Sequence, residues 1–128
     1  MTDQNHTETV ERLRRMIRID TVNPPGNEKP LTQMLAAELR DAGVPGVEVI
    51  ESQPGRASLA VRVRGDGSQR PLLLMSHLDV VPVEAEHWQH PPFGGDLVDG
   101  FVYGRGAIDS KLTAAVHLQV LLMLHRAG

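Results

Sequence analysis

The chain has no cysteine. That excludes disulfides and thiolate metal sites, so any metal bound here must be held by histidine and carboxylate. Aromatic residues make up only 3% of the sequence, one Trp, one Tyr and two Phe, which leaves the core to aliphatic side chains. Long apolar runs are also missing. LLLM at 72–75 and VLLML at 120–124 are the longest, against the roughly 20 residues needed to cross a bilayer. Neither sign of charge dominates: 13 Lys and Arg face 16 Asp and Glu, for a formal net charge of −3. Such a balance gives no basis for a nucleic-acid partner or a membrane surface. The first fifteen residues, MTDQNHTETVERLRR, lack the apolar segment of a signal peptide, and the expected location is the cytoplasm.

What is present is enough for one globular domain. The 128 residues are 41% hydrophobic, above the range of disordered chains. Residues 1–6 read as a frayed polar tail. Over 7–19, Val10, Leu13, Met16 and Ile17 recur at helical spacing behind Thr7, a candidate N-cap. TVNPPGNE at 21–28 breaks that helix. Asn27 then caps a second helix that buries Leu31, Met34, Leu35 and Leu39 and ends at Gly43. Period-two alternation predicts strands over 47–52 and 59–65. PLLLMSH at 71–77 is continuously apolar up to its last two residues, the pattern of a central strand covered on both faces. Asp-Gly inside LVDGFVY, 97–103, predicts a tight hairpin, and 110–127 reads as a helix with Ala114, Ala115, Leu118, Leu121, Leu122 and His125 on or near one face. The resulting class is α/β, a mixed sheet flanked by helices, without internal repeats, low-complexity segments or an interior linker.

Two clusters carry chemistry. In LLLMSHLDVVP, 72–82, a buried strand ends in His77 and Asp79. Side chains at i and i+2 of a strand share a face, so the Asp79 carboxylate can reach the imidazole, fix its tautomer and aim the other ring nitrogen outward, as at histidine-ligated metals. Sites in open α/β sheets gather beyond the carboxyl ends of strands, and His77 sits at such an end. The second cluster, YGRGAIDSK at 103–111, has two glycines flanking Arg105 and brings Asp109 to a helix start. Taken singly, a structural His–Asp pair and an ordinary helix N-cap account for these residues as well as a site does. Taken together, an imidazole and a hard carboxylate above one sheet edge are the ligand chemistry of a hydrolytic divalent-metal site. Two ligands fall short of the ~3 that a catalytic zinc takes from protein.

SHLDVVP (76–82), HWQHPPFGG (87–95) and DGFVYGRGAIDSK (99–111), preceded by TVNPPGNE, resemble metallopeptidase family M20, the group of aminoacylases, deacylases, carboxypeptidase-type enzymes and dipeptidases. The resemblance runs over about 17–115. It implies the N-terminal part of a zinc-hydrolase-like catalytic domain, with His77 ligating one zinc, Asp79 as the catalytic-site aspartate that orients His77, and Asp109 bridging two metals through a carboxylate followed by a cis peptide to Ser110. Trp88, Pro92, Phe93 and the glycines around Arg105 resemble scaffold positions. The implied chemistry is two-metal hydrolysis of an amide in a small peptide or N-acyl amino acid. The implied cofactor is Zn²⁺, two per complete site, with Co²⁺ and Mn²⁺ also suited to the ligands; a homodimer of the full-length protein is compatible with the family.

The family's Glu-Glu pair, which supplies the general base, its remaining carboxylate and histidine ligands, and its lid or dimerisation domain are expected beyond residue 128. The chain is therefore expected to be an N-terminal portion, inactive by itself. Two other readings stand beside this one: a non-catalytic truncated product that binds or dimerises through the apolar helix 114–124, and a one-metal site made by His77, Asp109 and a loop acid, Glu84 or Glu86. The loop acids read as solvated. His6, His87, His90, His117 and His125 are assigned no role. Leu112 stands where many family members have glycine, and Lys111 reads as a surface lysine.

Overall fold

Apolar side chains at 13, 16 and 17 define one face of the first helix, α1, which spans Asp3–Ile17 and buries Leu13, Met16 and Ile17. The computed structural model describes residues 3–128. Of the expected tail 1–6, the first two residues lie outside the described ones, and the rest form the opening turn of α1. Thr7 is inside the helix and not its cap: its Oγ1 donates back to Asp3 O at 3.1 Å, the i−4 bond available to a helical threonine.

The second helix, α2, spans Lys29–Asp41, with Glu28 and not Asn27 at the cap position and no side-chain cap bond. The Glu28 carboxylate is turned instead toward Arg56 (Nη2 to Oε1, 2.9 Å), while Asn27 Nδ2 reaches Asp20 O. The helix stops where Gly43 takes a positive φ of 78°. The Gly43 N–H donates to Arg40 O and the Val44 N–H to Leu39 O, the paired bonds of a Schellman stop.

Strands β1 (Glu48–Gln53) and β2 (Arg56–Ala60) form an antiparallel hairpin with Val49 opposite Leu59. β2 begins three residues before the expected strand, because the Pro54–Gly55 turn closes the hairpin directly after Gln53, and it ends at Ala60, so that 61–65 carry no ladder. A second hairpin, β3 (Asp96–Val98) with β4 (Phe101–Tyr103), turns at Asp99 (φ 50°) and Gly100 (φ 84°), the two positive-φ positions of a type I′ turn. The last helix, α3, spans Lys111–Ala127. The chain is thus α/β; the described residues form three α-helices, a short 3-10 turn at Ala85–His87, two small antiparallel sheets and one parallel bridge between Val22 and Val80. Among the described residues no helix is long and apolar enough to cross a membrane.

The expected central strand is not paired. Residues 71–77 carry no ladder, and Leu72, Leu73 and Met75 are 83%, 77% and 75% exposed. A two-sided strand needs a hydrogen-bonded neighbour at each edge and a layer over each face, and the described residues provide neither. Together with the outer face of α3, where Val120 and Leu124 are exposed, this segment lines an open groove of about 1610 Å³.

The core is the α1–α2–α3 contact: Leu13, Met16, Ile17, Leu31, Leu35, Ala114 and Ala115, with a smaller cluster of Leu39, Val44 and Leu122. Two cations are buried in it. Arg12, 1% exposed, gives Nε to Glu38 Oε1 on α2 (2.8 Å) and Nη1 to Gln119 Oε1 on α3 (2.8 Å). Lys111 corrects the surface reading: it is fully buried, and its Nζ donates to Met16 O and Ile19 O, both at 2.9 Å. Carbonyls at a helix C-terminus have no intrahelical donor and carry partial negative charge. That makes the end of α1 a place where an ammonium can be buried.

Burial pushes the Lys111 amine down to about 8, with Asp20 opposing the shift. At pH 7 it still holds the proton that the two carbonyls need. Between about 8 and the ordinary 10.5, the unfolded chain keeps a proton that the folded chain has released, so stability rises with pH across that window. The sequence has only one other lysine, Lys29, so the background is small. Urea midpoints at pH 7.5 and 10.5 are expected to show wild type gaining on the order of 2–3 kcal/mol relative to Lys111→Met; a flat difference would contradict the depressed amine.

Candidate functional site

The backbone around His77 and Asp79 is held by the loop after α1. Thr21 Oγ1 donates to Leu78 O (2.7 Å), the Val80 N–H to Thr21 O (3.1 Å) and the Asn23 N–H to Val80 O (2.9 Å). These bonds bracket Asp79 on both sides. Asp109 comes from the glycine-rich turn before α3, where Arg105 N–H bonds Pro92 O (2.7 Å) and Lys111 N–H bonds Gly106 O (3.0 Å). The Asp109–Ser110 peptide is cis. Ser110 Oγ donates to His77 O at 2.8 Å, which ties the start of α3 to the histidine backbone.

The structure brings His77, Asp79 and Asp109 together around one imidazole. Nδ1 lies 3.1 Å from both the carbonyl oxygen and Oδ1 of Asp79, and Nε2 lies 2.9 Å from Asp109 Oδ1. A backbone carbonyl and ionised carboxylates only accept hydrogen bonds. Nδ1, facing two acceptors, therefore carries a proton. Nε2 also faces an acceptor, and a neutral imidazole has one N–H only. The second contact is satisfied by a second proton or by a cation shared between Nε2 and the Asp109 carboxylate.

The charges follow from this arrangement. The hydrogen bond that Asp109 accepts from the imidazole raises the His77 pKa above its ordinary 6.5, supported by the Asp79 carbonyl and both carboxylate charges against some desolvation. The Asp79 carboxyl is held below its usual range, first by Asn23 Nδ2, which donates to Oδ2 at 2.9 Å, and then by the His77 charge. The mouth is open: the Asp109 side chain is 86% exposed and that of His77 53%.

An imidazole nitrogen and a carboxylate converging on one point fit two positions of a divalent-metal coordination sphere. Among the described residues no group of three or more His, Cys, Asp or Glu could hold a metal. Glu84, one of the loop acids, pairs with His87 Nδ1 at 2.9 Å. His90 sits 3.5 Å from Asp96 and stacks at 4.2 Å on Tyr103. Leu112 points outward at 40% exposure. The residues that reading the sequence missed are Asn23, Ser110 and Arg56. Asn23 lay inside the TVNPPGNE loop without an assigned role, and nothing in the sequence pattern singles out Arg56.

Residues 73–128 match the family model of peptidase family M20/M25/M40. Aminoacylase-1 of Sus scrofa is 35% identical over 122 residues, 94% of this chain and 30% of that protein. The N-fatty-acyl-amino acid synthase/hydrolase PM20D1 of Xenopus tropicalis is 32% identical over an alignment that takes in 100% of this chain and 26% of that protein. A succinyl-diaminopimelate desuccinylase of Methylorubrum extorquens is 39% identical over 75% of this chain and 25% of that protein. The chain belongs to peptidase family M20/M25/M40. It spans 30% or less of the length of each of these relatives.

For metal-free protein, the C–H resonances of His77 are expected to titrate above the ordinary histidine value, and Asp109→Asn to bring that midpoint down. A raised folded pKa contributes stability at low pH that is lost as pH rises through it. A proton NMR titration reads both, and a His77 midpoint indifferent to Asp109→Asn would refute the assigned contact.

Proposed function

We propose that this chain supplies an N-terminal portion of the catalytic domain of a metal-dependent hydrolase that cleaves amide bonds in N-acyl amino acids or small peptides. The observation that carries the reading is the imidazole with an acceptor at each nitrogen: Asp79 at Nδ1 and Asp109 at Nε2. With the proton fixed on Nδ1, the Nε2 lone pair is directed at the same point as the Asp109 carboxylate. His77 and Asp109 are the residues that would hold a divalent ion, with Asp109 as the bridge where two ions bind. Zn²⁺ suits this donor set, and Co²⁺ and Mn²⁺ are compatible with it. A divalent ion bound there supplies Lewis-acid polarisation of a carbonyl and acidification of water. Asp79 sets the tautomer and orientation of His77, and Ser110 holds the histidine backbone against the turn that delivers Asp109. The general base and further ligands are not provided by the described residues that surround the pair. The names of the aligned relatives, an aminoacylase, an N-fatty-acyl-amino acid synthase/hydrolase and a desuccinylase, support the amide-bond class.

Calorimetric titration of the chelator-treated chain with Zn²⁺ tests the ligand assignment. Weak binding is expected, lost in His77→Ala and in Asp109→Ala, and about 10–100-fold weaker in Asp79→Ala, the usual cost of removing a group that orients a ligand. Hydrolysis of N-acyl amino acids by the 128-residue chain alone is expected to be undetectable. Zn²⁺ affinity unchanged by both ligand substitutions would sink the assignment.

The exposed apolar segment Leu72–Met75 beside the outer face of α3 favours a second reading, in which this chain associates through that face. Contiguous apolar patches of this kind mark interaction surfaces. Light scattering across a concentration series is expected to show self-association that Leu73→Glu reduces; a monodisperse monomer at high concentration would count against it.

A further inference from the structure

We propose that Asn23, backed by Arg56, is a positioning residue that locks the Asp79 carboxylate and thereby leaves the metal-facing nitrogen of His77 unprotonated. The inference rests on the reading of His77 as a metal ligand. It extends that reading to two residues which contact neither the ion nor His77.

A carboxylate that engages only one partner can swing about its last torsion and present either oxygen. The Asp79 carboxylate has both oxygens taken. Oδ1 lies 3.1 Å from His77 Nδ1, and Oδ2 accepts from Asn23 Nδ2 at 2.9 Å. Behind Oδ2 stands Arg56, whose Nη2 is 3.8 Å away. Arg56 is itself oriented by a forked contact to Glu28, Nη2 to Oε1 at 2.9 Å and Nε to Oε2 at 3.4 Å, and Glu28 is only 6% exposed. The guanidinium fits there because residue 26 is glycine. A Cβ at that position would lie 2.7 Å from Arg56 Nε, and its φ of +85° disfavours other residues. Asn23 therefore supplies direction through a hydrogen bond, and Arg56 supplies a fixed positive charge.

The two acceptors at Nδ1, the Asp79 carbonyl and Oδ1, compete with Asp109 Oδ1 at Nε2 for the single proton of neutral His77. Loss of Asn23 releases one of the two and lets the proton move to Nε2, where it blocks metal. The loop backbone is held independently of the Asn23 side chain, by the Thr21 hydroxyl and by the Thr21–Val80–Asn23 backbone bonds. Substituting the side chain is thus expected to leave the loop in place.

The test uses the 128-residue chain labelled with ¹⁵N-histidine, read in two ways. Long-range proton–nitrogen spectra of metal-free protein, at a pH above the His77 midpoint, report which ring nitrogen carries the proton. Calorimetry reports Zn²⁺ affinity. Wild type is expected in the Nδ1–H form. Asn23→Ala is expected to shift a large share to Nε2–H and to weaken Zn²⁺ binding roughly tenfold, with Arg56→Gln moving both in the same direction by less. Should Asn23→Ala fold poorly, Asn23→Asp keeps the shape, replaces the donor with an acceptor and carries the same expectation. If His77→Ala abolishes Zn²⁺ binding while the foldable Asn23 variants keep the wild-type tautomer and affinity, the positioning role is overturned and the ligand assignment stands. If Zn²⁺ binding ignores His77→Ala, the ligand assignment is lost, and an unshifted tautomer in the same variants would overturn the positioning role separately.

Discussion

The ammonium of Lys111, buried against Met16 O in the last turn of α1 and Ile19 O just past its end, is the constraint on which both core and site depend. A charged amine can leave water only where acceptors replace its hydration, and a helix C-terminus offers them. Because Lys111 is the first residue of α3, this contact fixes where α3 starts. The two preceding residues, Asp109 and Ser110, inherit the placement. Ser110 closes onto His77 O, and Asp109 reaches Nε2. A packing decision at the end of α1 thus becomes the geometry of a ligand pair.

Arg12 does the corresponding work for the helices. Its guanidinium reaches α2 through Glu38 and α3 through Gln119 and the Ala115 carbonyl. An interior made mainly of Leu, Met, Ile and Ala would pack in several registers with little difference in energy. A buried fork with three directed partners is satisfied in far fewer, since each missed hydrogen bond at a buried charge is costly. The loop 20–28 adds the third element. Through Thr21, Asn23 and Glu28 it carries the backbone of 78–80 on one side and the Arg56–Asp79 contact on the other.

Much of this was legible in the residues. The helix faces followed from period 3.6, the Gly43 stop from its place after the last apolar position, and the second hairpin from Asp-Gly. The motif blocks around His77, Asp79 and Asp109 pointed to the M20 family, to which the chain belongs. The first strand runs within a residue of its expected 47–52, while the second, expected over 59–65, runs over Arg56–Ala60, because the Pro54–Gly55 turn brings it in earlier. The run 71–77 has the apolarity of a central strand but no neighbours among the described residues, and apolarity reports what a segment could bury without showing that anything covers it.

Lys111 and Arg12 mark the other boundary. Local patterning registers a lysine or an arginine as polar, because polarity is a property of the side chain, whereas its burial depends on acceptors that arrive from elsewhere in the chain. Met16 and Ile19 lie 95 and 92 residues from Lys111, and Gln119 lies 107 from Arg12. The same holds at the site. Spacing within the chain placed Asp79 two residues from His77, so their contact was readable from that spacing although the segment forms no paired strand. Asn23 and Arg56 reach that carboxylate only through the folding of the 20–28 loop and the first hairpin around it. Chemistry carried by neighbours in sequence was written in the residues; chemistry that requires distant groups to converge had to wait for the packing that brings them together.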